Sequence, residues 1–148
     1  MAGNIRQGNY SRKYRQISHT ADIAYRIQGS TLAEIFRHAA EALVATMTDR
    51  RGLRRQEQRE ISVAAPDREA LLVAWLNHLL YLYDVDGFLG RDFEILELQD
   101  DHLTARVWGE AFDPERHVSK TAVKAATYHH LEISPSDHGW QATVIFDL

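Results

Sequence analysis

From Ile23 the chain alternates, with Ile23, Tyr25 and Ile27 separated by Ala24, Arg26 and Gln28 before Gly29. That period of two predicts a strand with one face on a core. Thr31-Leu32-Ala33-Glu34 then has the form of a capping box, in which hydroxyl and carboxylate satisfy orphan N–H groups at a helix start. Leu32, Ile35, Phe36, Ala39, Leu43 and Met47 follow at helical spacing and predict an amphipathic helix to about Asp49. Ile61 and Val63 suggest a short strand, and Pro66-Asp67 predicts a second helix start, with Pro fixing the entry and Asp67 near the positive end of the dipole. From Leu71 to Tyr83 apolar residues occupy almost the whole circumference, the pattern of a helix buried between layers. Asp84-Val85-Asp86-Gly87 ends it in a turn.

Phe93 to Leu98 and His102 to Trp108 predict a hairpin turned at Gln99-Asp100-Asp101, followed by a loop from Gly109 to Pro114. Val118 to Ile133 is mixed: Ala122, Ala125 and Ala126 favour helix, whereas Val123, Thr127, Tyr128 and Ile133 favour strand, towards which the segment leans. Ser134 to Gly139 is a turn cluster, and Trp140, Ala142, Val144 and Phe146 alternate through a last strand. The order of elements predicts an α+β two-layer sandwich, a mostly antiparallel or mixed sheet covered by two main helices. Residues 1–13 are polar and predict a flexible tail, leaving 14–148 as a single domain.

Composition narrows the chemistry. The 148 residues include no cysteine, which removes disulfides, a thiolate nucleophile and cysteine-ligated zinc, and suits a cytosolic protein. No apolar run approaches the ~18 residues of a membrane span. A formal charge of −4 argues against nucleic-acid binding by bulk electrostatics, so any RNA link is indirect or local. Arg50, Arg51, Arg54, Arg55 and Arg59 crowd one loop, which suits an acidic partner but is ordinarily a solvated connection. Phosphate-loop, dinucleotide, HExxH and GxSxG motifs are all absent from the sequence. Asp84 and Asp86 do not continue into an EF-hand ligand pattern, and a turn explains them.

Oxygen and imidazole groups at element ends remain: His19 and Asp22 before the first strong strand, Lys124, His129 and His130 in the late segment, and Asp147 beside Leu148. Each aspartate alone reads as an exposed strand-end acid, and each histidine as a hydrogen-bonding group. Asp147 with the last residue nonetheless concentrates hard donors suited to Mg²⁺, Mn²⁺ or Ca²⁺, a site that Asp22 would close if the fold brought it near. Lys124 is one of three lysines, with Lys13 and Lys120, and its point charge can neutralise a carboxylate or touch a phosphate.

Five segments in order resemble the archease family: His19-Thr20-Ala21-Asp22, the Leu71 to Asp84 helix, Gly109-Glu110-Ala111-Phe112-Asp113-Pro114-Glu115-Arg116-His117, Val123-Lys124-Ala125-Ala126-Thr127-Tyr128-His129, and Phe146-Asp147-Leu148. The resemblance runs from about Tyr14 to Leu148. It implies a non-enzymatic activator of the RtcB-type RNA ligase, which seals tRNA halves and other RNA ends carrying a 2′,3′-cyclic phosphate or 3′-phosphate. The family protein promotes guanylylation of the ligase histidine and multiple turnover. A divalent cation, Ca, Mg or Mn, is implied on Asp22, Asp147 and a main-chain oxygen of Leu148, and an essential lysine falls on Lys124. RNA would be met only through the ligase. Departures are His130, where glycine is frequent, and the arginine-rich loop. The competing readings are a stand-alone metal-dependent phosphohydrolase using Asp22, Asp147 and His129, and a general chaperone or RNA-modification accessory that docks through an exposed long helix.

Overall fold

The computed structural model describes residues 13–18 and 22–148. The chain forms β1 (Tyr14–Ser18), β2 (Asp22–Gly29), α1 (Leu32–Met47), β3 (Glu57–Ala64), α2 (Arg68–Asp86), β4 (Phe88–Leu98), β5 (His102–Ala111), β6 (Ala125–Ser136) and β7 (Gly139–Asp147), with a 3-10 turn at Arg50–Gly52. The α+β expectation holds, with every strand pair antiparallel among the described residues. The strands divide into two sheets, ordered β1-β2-β7-β6 and β3-β5-β4. α1 packs on β2 and β4 and α2 on β6 and β4, so the helices bridge the sheets over one apolar cluster.

Both helix starts follow local chemistry. The Thr31 hydroxyl accepts the Glu34 N–H at 3.2 Å, while the Glu34 carboxylate reaches one residue further back and accepts the Ser30 N–H at 2.8 Å. Asp67 caps α2 by accepting the Ala70 N–H at 2.9 Å. α2 is wrapped by core from Ala70 to Leu80, but Tyr81 and Val85 are exposed, so the apolar circumference seen in the sequence is not buried all the way round in its last turns. The helix runs through Asp86 and stops at Gly87, whose φ of 69° is left-handed and whose N–H bonds the Tyr83 carbonyl.

β1 is absent from the sequence-based expectation because Arg15 and Gln16 interrupt its apolar residues; pairing with β2 over Tyr14↔Ile27 to Ser18↔Ile23 supplies what the pattern lacks. Lys13, assigned to the tail, is tied to the domain through Glu41 at 2.9 Å and through its carbonyl, which accepts the Gln28 N–H. Residues 1–12 lie outside the described ones. The β4–β5 hairpin is longer than expected, reaching from Phe88 to Ala111. Gly109, assigned to a loop, lies inside β5 because the strands approach too closely there for a side chain: an added Cβ would stand 1.9 Å from the Leu89 carbonyl oxygen.

The segment that leaned towards strand is strand only from Ala125 onward. Residues 118–124 instead finish α1: the Thr121 and Lys120 N–H groups bond the Thr46 and Met47 carbonyls, and the Lys120 ammonium reaches the Ala45 carbonyl at 3.3 Å. These contacts satisfy the helix's last carbonyls and place a cation at its negative end. β6 then continues through Pro135 into the expected turn, which is possible because β6 is an edge strand and proline costs it no ladder bond. No helix is long and apolar enough to cross a membrane among the described residues.

Candidate functional site

β2 begins where β7 ends, and because the two are antiparallel neighbours the register sets Asp22 directly opposite Asp147. The next pair inward is Ile23 with Phe146, and Phe146 is fully buried in the core. A one-residue slip would turn Phe146 to the outer face, so core packing locks the aspartates in register. Directly opposed residues project to the same face with Cβ atoms roughly 4.5–5.5 Å apart. On its other side β7 meets β6, with Asp147 opposite Ala125 and the Lys124 N–H donating to the Asp147 carbonyl at 2.8 Å. Asp147 and Lys124 are exposed, whereas Asp22 is half-buried with its Oδ1 shielded from solvent.

The structure therefore brings together residues 125 positions apart in sequence, Asp22 and Asp147, and attaches the Lys124 backbone to the second of them. Like charges directly opposed destabilise a strand pair. A cation between them relieves that repulsion, and carboxylate and main-chain oxygens are the hard donors that Mg²⁺, Mn²⁺ and Ca²⁺ take. The donor set fits such an ion only if main-chain oxygen contributes, since no trio of His, Asp and Glu side chains converges among the described residues. His19 and the side chains of His129 and His130 lie outside the described residues.

A second polar cluster, unread in the sequence, holds the loop between β5 and residues 118–124. Glu110, 6% exposed, accepts the Arg54 N–H at 2.7 Å and His117 Nε2–H at 2.9 Å, and pairs with Arg116. The tautomer follows because His117 Nδ1 accepts the Asp113 N–H at 2.8 Å, which leaves the proton on Nε2. Burial opposes ionisation of Glu110, but the Arg116 guanidinium, the Arg54 N–H and His117 together outweigh it and lower its pKa from the usual 4.5 to about 2. A depressed carboxyl pKa contributes stability above the unfolded value that is lost as pH falls through the folded one. Unfolding at pH 7 and at successive steps below 4.5 should show a Glu110-dependent loss of up to roughly 3 kcal/mol towards pH 2. Glu110→Gln should be less stable at pH 7 and lose this part of the pH dependence; an unchanged acid limb in the variant would contradict the assignment.

Four of the five arginines in the arginine-rich loop are paired with acids of this chain. Arg51 pairs with Asp49 at 3.1 Å, Arg55 with Asp92 at 3.3 Å while lying 4.4 Å over Trp108, and Arg59 with Glu57 and Asp86 at 3.0 and 2.9 Å. Arg50 donates to the Arg91 carbonyl at 2.9 Å and lies 3.8 Å from Glu41. Asp86, considered in the sequence with Asp84 as a turn acid, is thus an ion-pair partner of β3 at the end of α2.

Residues 14–148 match the model of the Archease protein family (MTH1598/TM1083). The protein archease of Methanosarcina mazei is 36% identical over 141 residues, covering 93% of this chain and 97% of its own. That of Pyrococcus furiosus is 38% identical over 141 residues, with 93% and 99% covered. The solution structure of Methanobacterium thermoautotrophicum protein 1598 superposes with a TM-score of 0.79 at 34% identity, over 93% of this chain and 100% of that one. The crystal structure of an archease, possible chaperone, from Thermotoga maritima shares the fold with a TM-score of 0.63 at 22% identity, over 94% of this chain and 100% of that one.

Proposed function

The chain belongs to the archease family, and from that premise we propose that it is a non-enzymatic activator of an RtcB-type RNA ligase in cytoplasmic tRNA splicing and RNA repair. The observation that supports this reading is the pairing of Asp22 with Asp147 across β2 and β7, with the Lys124 N–H bonded to the Asp147 carbonyl. Asp22, Asp147 and a main-chain oxygen of Leu148 would hold a divalent cation, which supplies positive charge for an incoming phosphoryl group. The two carboxylates fix where that charge sits, and the exposed Lys124 presents an ammonium beside it. Pre-placed charge of this kind favours guanylyl transfer to the ligase histidine, because it meets negative charge developing on the phosphoryl oxygens.

The internal pairing of the arginine-rich loop fits contact with RNA only through the ligase. A general chaperone docking through its long helix is less well supported, because that helix spends most of its apolar residues in the core. The test is multiple-turnover ligation of RNA ends bearing a 2′,3′-cyclic phosphate, with the ligase in catalytic amount. Adding this protein should convert a single round into many; turnover that stays the same with and without it would overturn the proposal.

A further inference from the structure

β6 is an edge strand, and an edge leaves a row of outward N–H and C=O groups to be satisfied. α2 meets that need with side chains. Asn77 Nδ2 donates to the Ala126 carbonyl at 3.2 Å while its Oδ1 accepts the Ala126 N–H at 2.8 Å, the two bonds a neighbouring strand's peptide would make. Eight residues earlier, Glu69 accepts the Ile133 N–H at 3.3 Å.

A helix and a strand do not ordinarily keep step. Seven residues of regular strand from Ala126 to Ile133 would span roughly 24 Å, against about 12 Å for eight residues of helix. β6 resolves the mismatch with a bulge: Thr127 lies opposite Ile145 and the next pair is Glu132 with Thr143, so five steps on β6 face two on β7. Ala126 and Ile133 are thereby opposite Phe146 and Ala142, four β7 residues apart and about 13–14 Å. The contraction lets α2 grip the edge at both points.

The grip at Asn77 falls two residues beyond Lys124. The Lys124 N–H is bonded to Asp147 on the inner side, so this part of the chain is fixed from both sides, by β7 and by α2. Asparagine is a poor interior helix residue, and here it interrupts, with His78, an apolar run between Leu76 and Leu79. A leucine of similar size would suit that run for packing alone. We infer that Asn77 is a positioning residue that sets the Lys124 backbone against the Asp22–Asp147 pair by clamping both polar groups of Ala126. This rests on the reading of Lys124 as the activating group.

The test uses Asn77→Leu in the full chain, with two readouts. Amide hydrogen exchange should quicken about tenfold or more at Lys124 to Thr127 while the core amides stay protected. In ligation assays, maximal stimulation should fall about tenfold with the half-saturating concentration unchanged, since misplacement of a working group lowers its effect rather than the amount of folded protein. Simple loss of folded protein would do the reverse. Unchanged exchange at Lys124 to Thr127, or full maximal stimulation by the folded variant, would overturn the inference. If the wild type itself fails to stimulate, the activator function falls, and the exchange result alone still decides whether Asn77 fixes the segment. Should Asn77→Leu not fold, Asn77→Asp, which keeps the acceptor for the Ala126 N–H and loses the donor, carries the same two readouts.

Discussion

Lys124→Ala, Asp147→Ala and Asp22→Ala should each abolish stimulation of ligase turnover while leaving a folded protein. Lys124 and Asp147 are exposed, and substitutions at such positions usually change stability by no more than about 0.5 kcal/mol. Asp22 is half-buried, so Asp22→Asn, which keeps its size, is the cleaner variant there. The loss expected is of function alone, since the ladder bonds of β2 and β7 are made by backbone. Removing the exposed Asp147 also removes the opposed like charges, so in chelator Asp147→Ala should be as stable as the wild type or slightly more so. Circular dichroism melts beside the turnover assay separate the outcomes: a variant that melts normally and stimulates normally takes its residue out of the site.

Trp75→Ala should have the opposite profile, a large loss of stability that carries function with it. Trp75 is fully buried between α1 and β4; its Nε1–H donates to the Phe36 carbonyl at 2.9 Å and its ring meets Phe93 edge-on, with centroids 6.2 Å apart. Truncation empties the core of its largest side chain and removes the indole N–H bond to the Phe36 carbonyl, at a cost of about 3–5 kcal/mol. Against a total of about 5–15 kcal/mol this is a large fraction, and it should lower Tm by roughly 10 °C or more. Trp75→Phe keeps much of the packing but loses the hydrogen bond, and should fall between the two. A melt of Trp75→Ala within 2 or 3 °C of the wild type would show that the two helices and two sheets do not share one core.

The elements that were legible in the sequence are those whose own residues carry the signal. β2 alternates cleanly, Thr31 and Asp67 cap their helices locally, and the stripe of α1 needs no knowledge of its neighbours. What was not legible is set by partners distant along the chain. β1 becomes a strand by pairing with β2, residues 118–124 are held irregular by the end of α1, and the strands divide between two sheets. Pro135 reads as a turn until β6 is known to be an edge.

The candidate site divides in the same way. Donor chemistry singled out Asp22, Asp147 and Lys124, and family resemblance gave them roles, but nothing local to either aspartate says that they lie opposite one another. That follows from the antiparallel pairing of β2 with β7 and from Phe146, whose burial fixes the register. Asn77 and Glu110 were missed as working positions for a related reason. One belongs to the polar pair Asn77-His78 within an apolar stretch of helix and the other is one acid among many, and each takes its meaning from a backbone group far away in sequence. A polar residue breaking an apolar helical run is the one signal that could have flagged Asn77.

Calorimetric titration of the metal-free protein with Ca²⁺, Mn²⁺ and Mg²⁺ bears most directly on the shared ion. One cation should bind per chain, and Asp22→Asn and Asp147→Asn should each remove that binding while Lys124→Ala retains it. A wild type that takes up none of the three ions, or an aspartate variant that binds as the wild type does, would contradict it.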